Sequence, residues 1–322
     1  MHVLVTGSTG YAGRAIVGAL LRAGHTVAAF SRAATSSGLP VTTIDGDIRD
    51  AAAVENAARG CDAIIHTAAL VAVWRKRSQE FDDINVGGLA NVLAAARRLG
   101  IPRIVYTSSF LALPPADARD GSVWNDYQRT KVLAARLADR ALADGAPLVC
   151  LFPGVIYGPG RMTDGNLVGK MISDHLAGTL PGLVGADRTW SFAYVEDVAA
   201  AHVAALERGH IGHRYCLGGE NVPQIRAFEI VRTLTGRRLP RRLPDWIASC
   251  AAFVDESRAR WFGVMPQLTT GTLEILFHHW PLDSTLAQQE LGYTMTPLRD
   301  GIANVLERLA SDRGPIQGAL PS

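Results

Sequence analysis

MHVLVTGSTGYAG, residues 1–13, runs from a short apolar stretch at residues 2–5 straight into glycines at 7, 10 and 13. An alanine-rich amphipathic stretch follows at once. The pattern reads as a buried first strand, a glycine turn and the start of a helix. Gly7 allows the tight turn, Gly10 lets backbone approach a phosphate, and Gly13 lets the helix pack closely on the sheet. The free N–H groups and positive end of that helix then face an anion. The spacing is G-x-x-G-x-x-G rather than the G-x-G-x-x-G of the commonest dinucleotide fingerprint. Its place directly after a strand at the head of the chain implies a dinucleotide site rather than an ordinary βα turn.

Outward from this turn, short apolar runs alternate with helical patterns through the first half of the chain, the rhythm of βαβ units. Strands are predicted at 2–6, 26–30, 42–44, 63–66, 103–107 and 148–152, and helices at 12–23, 80–99 and 126–144. On the second helix Phe81, Ile84, Leu89, Val92, Leu93 and Ala96 form an apolar face. After Phe152 the rhythm breaks at Pro153, Gly154, Gly158, Pro159 and Gly160. A helix at 195–206 and a short strand at 214–217 return, and 221–296 reads as mainly helical. The expected fold is α/β, a Rossmann-type doubly wound parallel sheet with a smaller, mainly helical C-terminal substrate-binding region. Residues 1–160 form the dinucleotide-binding part, with 195–217 returning to it. Residues 161–310 form the substrate region, and 311–322 a loose tail.

Of the 322 residues, 48% are apolar and 19% charged, with a net charge of +2. This balance gives no electrostatic case for nucleic acid. Cys61, Cys150, Cys216 and Cys250 lie far apart, without metal-type spacing, which reads as a reducing compartment. No signal peptide fits, so a cytoplasmic location is expected, a trimmed organelle form being the alternative. The apolar run 246–254 is too short to span a bilayer. It reads as a buried helix of the substrate region in preference to a membrane-surface segment, and a homodimer is left open.

Tyr127 and Lys131 stand four apart on a predicted helix, so their side chains share a face. A tyrosine is a poor acid or base at neutral pH, and an ammonium beside it stabilises the phenolate. A hydroxyl from the run Tyr106-Thr107-Ser108-Ser109, at the end of a strand, would complete the site by binding a substrate carbonyl.

Together these segments resemble the extended short-chain dehydrogenase/reductase family. The resemblance rests on TGSTGYAG at 6–13, GD at 46–47, HTAA at 66–69, NVGGLANV at 85–92, YTSS at 106–109 and YQRTK at 127–131. PGVIYGPG at 153–160, FAYVEDVAAAHVAAL at 192–206 and LGY at 291–293, followed by Leu298 and Gly301, extend it in family order. It implies that Gly7, Gly10 and Gly13 cradle a pyrophosphate, with Thr9 and Tyr11 of the same loop also at the cofactor. Asp47 and Ile48 would border the adenine, Ala68 and Ala69 the groove, and Pro153 and Val155 the nicotinamide carboxamide. Ser109, in preference to Ser108, would orient the carbonyl. Tyr127 would be the general acid/base, and Lys131 would hold the nicotinamide ribose and lower the tyrosine pKa. Asn85 would serve either a proton path or a structural role. Ser109 and Tyr127 are 18 apart, and the short connection 114–122 should leave the entrance open.

The second strand ends in Phe30-Ser31-Arg32, where NAD-selective sites usually carry an acid. Arg32 therefore favours NADP(H), through the 2′-phosphate, over NAD(H). Trp190 occupies the position at which sugar-nucleotide enzymes of the family commonly carry an arginine, with Arg188 two residues upstream. Trp74, Phe110, Leu111, Leu113, Tyr157, Met162, Trp190 and Phe192 are expected around an apolar substrate. The motifs read close to the dihydroflavonol 4-reductase-like, 3β-hydroxysteroid dehydrogenase-like and farnesol dehydrogenase-like branch. The expectation is an NADP(H)-dependent enzyme interconverting alcohol and carbonyl on a hydrophobic small molecule. The alternatives are a nucleotide-sugar epimerase or dehydratase and a non-catalytic cofactor-binding subunit.

Overall fold

Strand β1 (His2–Thr6) lies at the centre of the protein and is buried on both faces. Its side chains alternate: Val3 and Val5 face one layer of the core, Leu4 the other. The computed structural model describes residues 1–118, 122–266 and 268–313. Around β1 stand β2 (Thr26–Ser31), β3 (Thr42–Asp45), β4 (Ala63–His66), β5 (Ile104–Thr107) and β6 (Leu148–Pro153). A short pair, β7 (Val155–Tyr157) and β8 (Thr189–Tyr194), comes next in sequence, followed by β9 (Arg214–Leu217) and β10 (Glu220–Pro223). Seven strands form one sheet in the order β3-β2-β1-β4-β5-β6-β9, all parallel. The remaining three form a second sheet, β10-β8-β7.

Helices cover both faces of the large sheet, as parallel strands joined by right-handed crossovers require. On one face α1 (Tyr11–Arg22) and α7 (Val195–Arg208) bury Ile16, Val17, Leu20 and Val198 against Val3, Val5, Ile65 and Val105. On the other, α2 (Ala51–Ala58), α4 (Gly88–Leu99) and α5 (Asp126–Ala143) bury Val54, Leu89, Val92 and Ala134 against Leu4, Ile64 and Ile104. The expected doubly wound sheet with a smaller helical C-terminal region is the fold observed. The predicted helix at 80–99 is one continuous turn path in three pieces: α3 (Gln79–Phe81), a π-helical stretch (Asp82–Gly87) and α4.

Two features differ from the sequence reading. α2 and the three-stranded sheet were not foreseen, the latter because its strands lie far apart in sequence and two are only three or four residues long. Beyond it come α6 (Leu167–Ala177), α8 (Ile225–Thr235), α9 (Asp245–Phe262), α10 (Thr270–Leu276), α11 (Thr285–Leu291) and α12 (Leu298–Arg313). The segment 246–254, expected to be buried, lies in α9 with Trp246 69% and Phe253 67% exposed. Among its residues only Ala248, Ala252 and Ala259 are buried. Among the described residues no helix is long and apolar enough to cross a membrane. Of the expected loose tail, Ser311–Arg313 close α12, and 314–322 lie outside the described residues. So does part of the 114–122 connection.

Candidate active site

β1 leaves the middle of the sheet, where the chain has run outward to β3 and then reverses to β4 on the other side. Open α/β sheets bind ligands at this switch point, beyond the carboxyl ends of the strands. Gly7 sits there with φ +72°, and a Cβ on it would stand 2.6 Å from the Ala68 Cα. A Cβ on Gly10 would come 3.1 Å from the Gly7 carbonyl oxygen, and one on Gly13 would collide with that same oxygen. The Gly10 N–H donates to the Gly7 carbonyl (2.9 Å), closing the turn. This cradle opens into a cavity of about 1470 Å³. One ligand usually occupies about 300–1,000 Å³, so there is room for a dinucleotide and a substrate together. Cradle, cavity and switch point fit a nicotinamide dinucleotide.

The expected cofactor residues converge on this cavity. Gly7, Thr9, Gly10, Tyr11, Gly13, Arg32, Asp47, Ile48, Ala68, Ala69, Pro153 and Val155 all line it. The Thr9 hydroxyl donates to the Ser31 hydroxyl (3.1 Å), joining the glycine loop to the end of β2. Asp47 is clamped by the Arg49 guanidinium (2.6 Å), which, with a smaller contribution from Arg32, holds its carboxyl below the usual carboxylate range.

At the far end of the cavity, α5 carries Tyr127 and Lys131 beneath the end of β5. Asn125 caps this helix, its side-chain oxygen accepting from the Gln128 N–H (2.8 Å). Arg129 grips Asp82 with two bonds of 2.7 and 2.6 Å, which ties α5 to the π-helical stretch. The Ser109 hydroxyl, which accepts from the Leu111 N–H (3.2 Å), stands on the same wall as Tyr127 and favours its phenolate. Lys131 is buried, its Nζ 3.4 Å from the Ser108 carbonyl, 3.5 Å from that of Thr107 and 5.8 Å from the centre of the Tyr127 ring. Burial pushes the Lys131 ammonium down to about 8. It also pushes the Tyr127 phenol up to about 12, against the Ser109 hydroxyl that favours the phenolate. In the protein alone, desolvation outweighs the lowering that the neighbouring ammonium was expected to give. The Asn85 side-chain oxygen accepts from the Leu70 N–H (2.7 Å), and its nitrogen donates to the Thr130 hydroxyl (2.9 Å). It thereby fastens the loop after β4 to α5.

The expected substrate residues divide. Phe110, Leu111 and Trp190 reach the cavity wall. Trp74, Tyr157, Met162 and Phe192 do not: Tyr157 and Phe192 are core residues packed edge to face, and Met162 packs against that core. Leu113, too, packs on the core beneath α5 rather than on the wall. Arg188 is turned to His279 (3.4 Å) and is likewise not on the wall. The sequence reading missed the wall supplied by α9, which contributes Ile247, Cys250, Ala251, Val254 and, above all, Arg258. Arg258 is a cation facing the cavity. The only signal for it was its spacing of four from Val254 on a helix whose orientation could not be foretold.

Residues 3–218 match the model of the NAD dependent epimerase/dehydratase family. A protein of Methylococcus capsulatus named sterol demethylase protein B is 31% identical over 95% of this chain and 97% of its own length. A putative dihydroflavonol 4-reductase of Synechocystis is 29% identical over 94% of this chain and 92% of its own. The fold superposes on the UDP-glucose 4-epimerase of Thermus thermophilus in complex with NAD. The TM-score there is 0.73 and the identity 24%, covering 98% of this chain and all of that one.

The family match overturns the expected NADP(H)-dependent alcohol or carbonyl enzyme for a hydrophobic small molecule. The preference for NADP(H) read from Arg32 is corrected by the match to a family described as NAD dependent. The hydrophobic partner falls because five of the aromatic and apolar residues that argued for it lie off the cavity wall, while Arg258 lies on it. With a glycine cradle at the switch point and Ser109, Tyr127 and Lys131 at one end of a single cavity, the chain belongs to the NAD dependent epimerase/dehydratase family.

Proposed function

We propose that the protein is an NAD-dependent epimerase or dehydratase of a nucleotide-linked sugar. In this reading residues 1–160, with 195–217, hold the cofactor, and residues 161–310 hold the sugar nucleotide. The family match and the seating of Tyr127 between Ser109 and Lys131 support it most directly. Gly7, Gly10 and Gly13 would meet the pyrophosphate, Asp47 and Ile48 the adenosine, and Lys131, Pro153 and Val155 the nicotinamide end. NAD, when bound, accepts hydride from a carbinol carbon of the sugar and later returns it.

Tyr127 takes the hydroxyl proton as the C–O bond becomes a carbonyl and gives it back on reduction. Ser109 donates to the developing oxyanion and fixes its distance from the phenol. Lys131, protonated below about pH 8, stabilises the phenolate while Tyr127 is without its proton. Returning the hydride to the opposite face of the carbonyl carbon, and the proton to its oxygen, gives the epimer. Loss of an α-proton and the β-hydroxyl as water from the keto stage gives an enone, and return of the hydride to its β-carbon gives the dehydrated keto product.

Arg258 supplies the cation for the substrate diphosphate, a role that Trp190 cannot fill. The likeness to the Synechocystis relative supports descent near the dihydroflavonol 4-reductase-like branch and does not set the substrate. Calorimetric titration with UDP-hexoses in the presence of NAD tests the reading. Arg258→Ala should weaken sugar-nucleotide binding by roughly 10- to 100-fold, the loss of a charge-assisted bond, with NAD affinity unchanged. An unaltered affinity would take Arg258 out of the site.

A further inference from the structure

α9 is built inside out for a helix in water. Its inward positions are the small Ala248, Ala252 and Ala259, while large apolar side chains point outward: Trp246 69%, Phe253 67%, Trp261 80% and Phe262 79% exposed. Residues 246, 250, 253, 257 and 261 recur at helical spacing, so Trp246, Phe253 and Trp261 form one stripe along its length, bordered at Cys250 by the cavity wall. Val264 (47%) and Met265 (56%) extend the apolar surface past the helix end. A continuous exposed patch of this kind marks an interaction site.

Its surroundings are basic. The segment leading into α9 carries Arg237, Arg238, Arg241 and Arg242, all exposed, and the last turn carries Arg260. Asp245, in the first turn of α9, is an exposed acid among them, and the other nearby acids are held by neighbours. Glu256 accepts from the Thr270 N–H and hydroxyl, Asp255 accepts from the Leu268 N–H, and Asp187 pairs with Arg242.

We propose that the outer face of α9 docks reversibly on an anionic lipid bilayer surface, with Trp246, Phe253, Trp261 and Phe262 entering the headgroup boundary and the arginines facing lipid phosphates. Tryptophans at both ends of the stripe suit that boundary, where an apolar ring and an N–H donor are both accommodated. A second copy is the poorer occupant, because a two-fold pairing of this face would set the arginines against their own copies. The flank of the same helix between its inner and outer faces, through Ile247, Ala251 and Val254, walls the cavity, so docking would place the cavity mouth next to the membrane.

Co-sedimentation with vesicles of phosphatidylcholine alone, and of equal parts phosphatidylcholine and phosphatidylglycerol, tests this. The protein should sediment with the anionic vesicles, shift its tryptophan emission to the blue and be released by added salt. The combined Trp246→Ala, Phe253→Ala and Trp261→Ala variant should partition roughly a hundredfold more weakly. Unchanged NAD affinity of that variant would show that its fold is intact. Arg238→Glu with Arg241→Glu should weaken binding to anionic vesicles while keeping the apolar stripe. No sedimentation with either vesicle would overturn the proposal, as would equal binding by the triple variant. So would a concentration-dependent dimer in place of vesicle binding, if it is lost in the triple variant.

Discussion

Tyr127 and Lys131 are both held against their charged forms by burial, and each gives a separate expectation. The phenol hydroxyl is used only for the proton, so Tyr127→Phe should lower kcat by about 10²–10⁴-fold and leave NAD affinity within a factor of two or so. Single-turnover rates with NAD titrated in parallel would show it; a variant that keeps its rate would need another base. Lys131 makes an opposite demand on stability. Its folded pKa, about 8, lies below the ordinary lysine value of 10.5, so between these values the unfolded chain binds more protons than the folded one. Stability of the NAD-free protein should therefore rise as pH rises through that window, by about 3 kcal/mol at most. Lys131→Met should lack that rise. Urea unfolding of both proteins at about pH 7 and about pH 10 would measure the difference. A parallel response in the two would mean that Lys131 is not the group responsible.

The elements that hold these residues depend on a few backbone positions. Gly7 and Gly24 have nearly the same positive φ, +72° and +80°, and differ in what surrounds them. A Cβ at Gly24 meets nothing within 4 Å, whereas one at Gly7 runs into the Ala68 backbone. Gly24→Ala should cost only the left-handed strain, about 1–2 kcal/mol. Gly7→Ala should cost more and also weaken NAD binding by an order of magnitude or more, because β1 and β4 would have to part at the phosphate cradle. Thermal unfolding with and without NAD separates the two effects, and equal behaviour of the variants would deny Gly7 its close approach. α5 was legible in the sequence almost to the residue, since Asn125 caps it and its alanines repeat at helical spacing. The π-helical turn at Asp82–Gly87 was not, because a widened turn leaves the apolar face of Phe81, Leu89 and Val92 on one side all the same.

At the scale of the molecule, β1, the glycine turn and the shared face of Tyr127 and Lys131 were readable because local patterns specify them: strand alternation, a turn that only glycine fits, and two side chains one helical turn apart. The cavity wall was readable only in part. Trp190 on β8 and Phe110 beyond β5 were expected on it, but the α9 part, with Arg258, joins them only in the folded chain. Aromatics such as Tyr157 and Phe192 looked like pocket residues because a strand's inner and outer faces cannot be told apart from sequence when both are apolar. The α9 surface was misread for the same kind of reason. An apolar stretch is normally buried, and nothing local reveals that alanines fill the inner face.

An epimerase or dehydratase must take hydride from a sugar carbon and return it within one turnover. The direct measurement is to mix the protein with NAD and a panel of UDP-, dTDP- and GDP-linked hexoses, following absorbance at the reduced-nicotinamide band and separating the products. Conversion of at least one sugar nucleotide to its epimer or dehydrated keto form, without net build-up of reduced cofactor, is the expected result. Failure to convert any of them, combined with steady reduction of a free carbonyl compound at the expense of reduced cofactor, would contradict it.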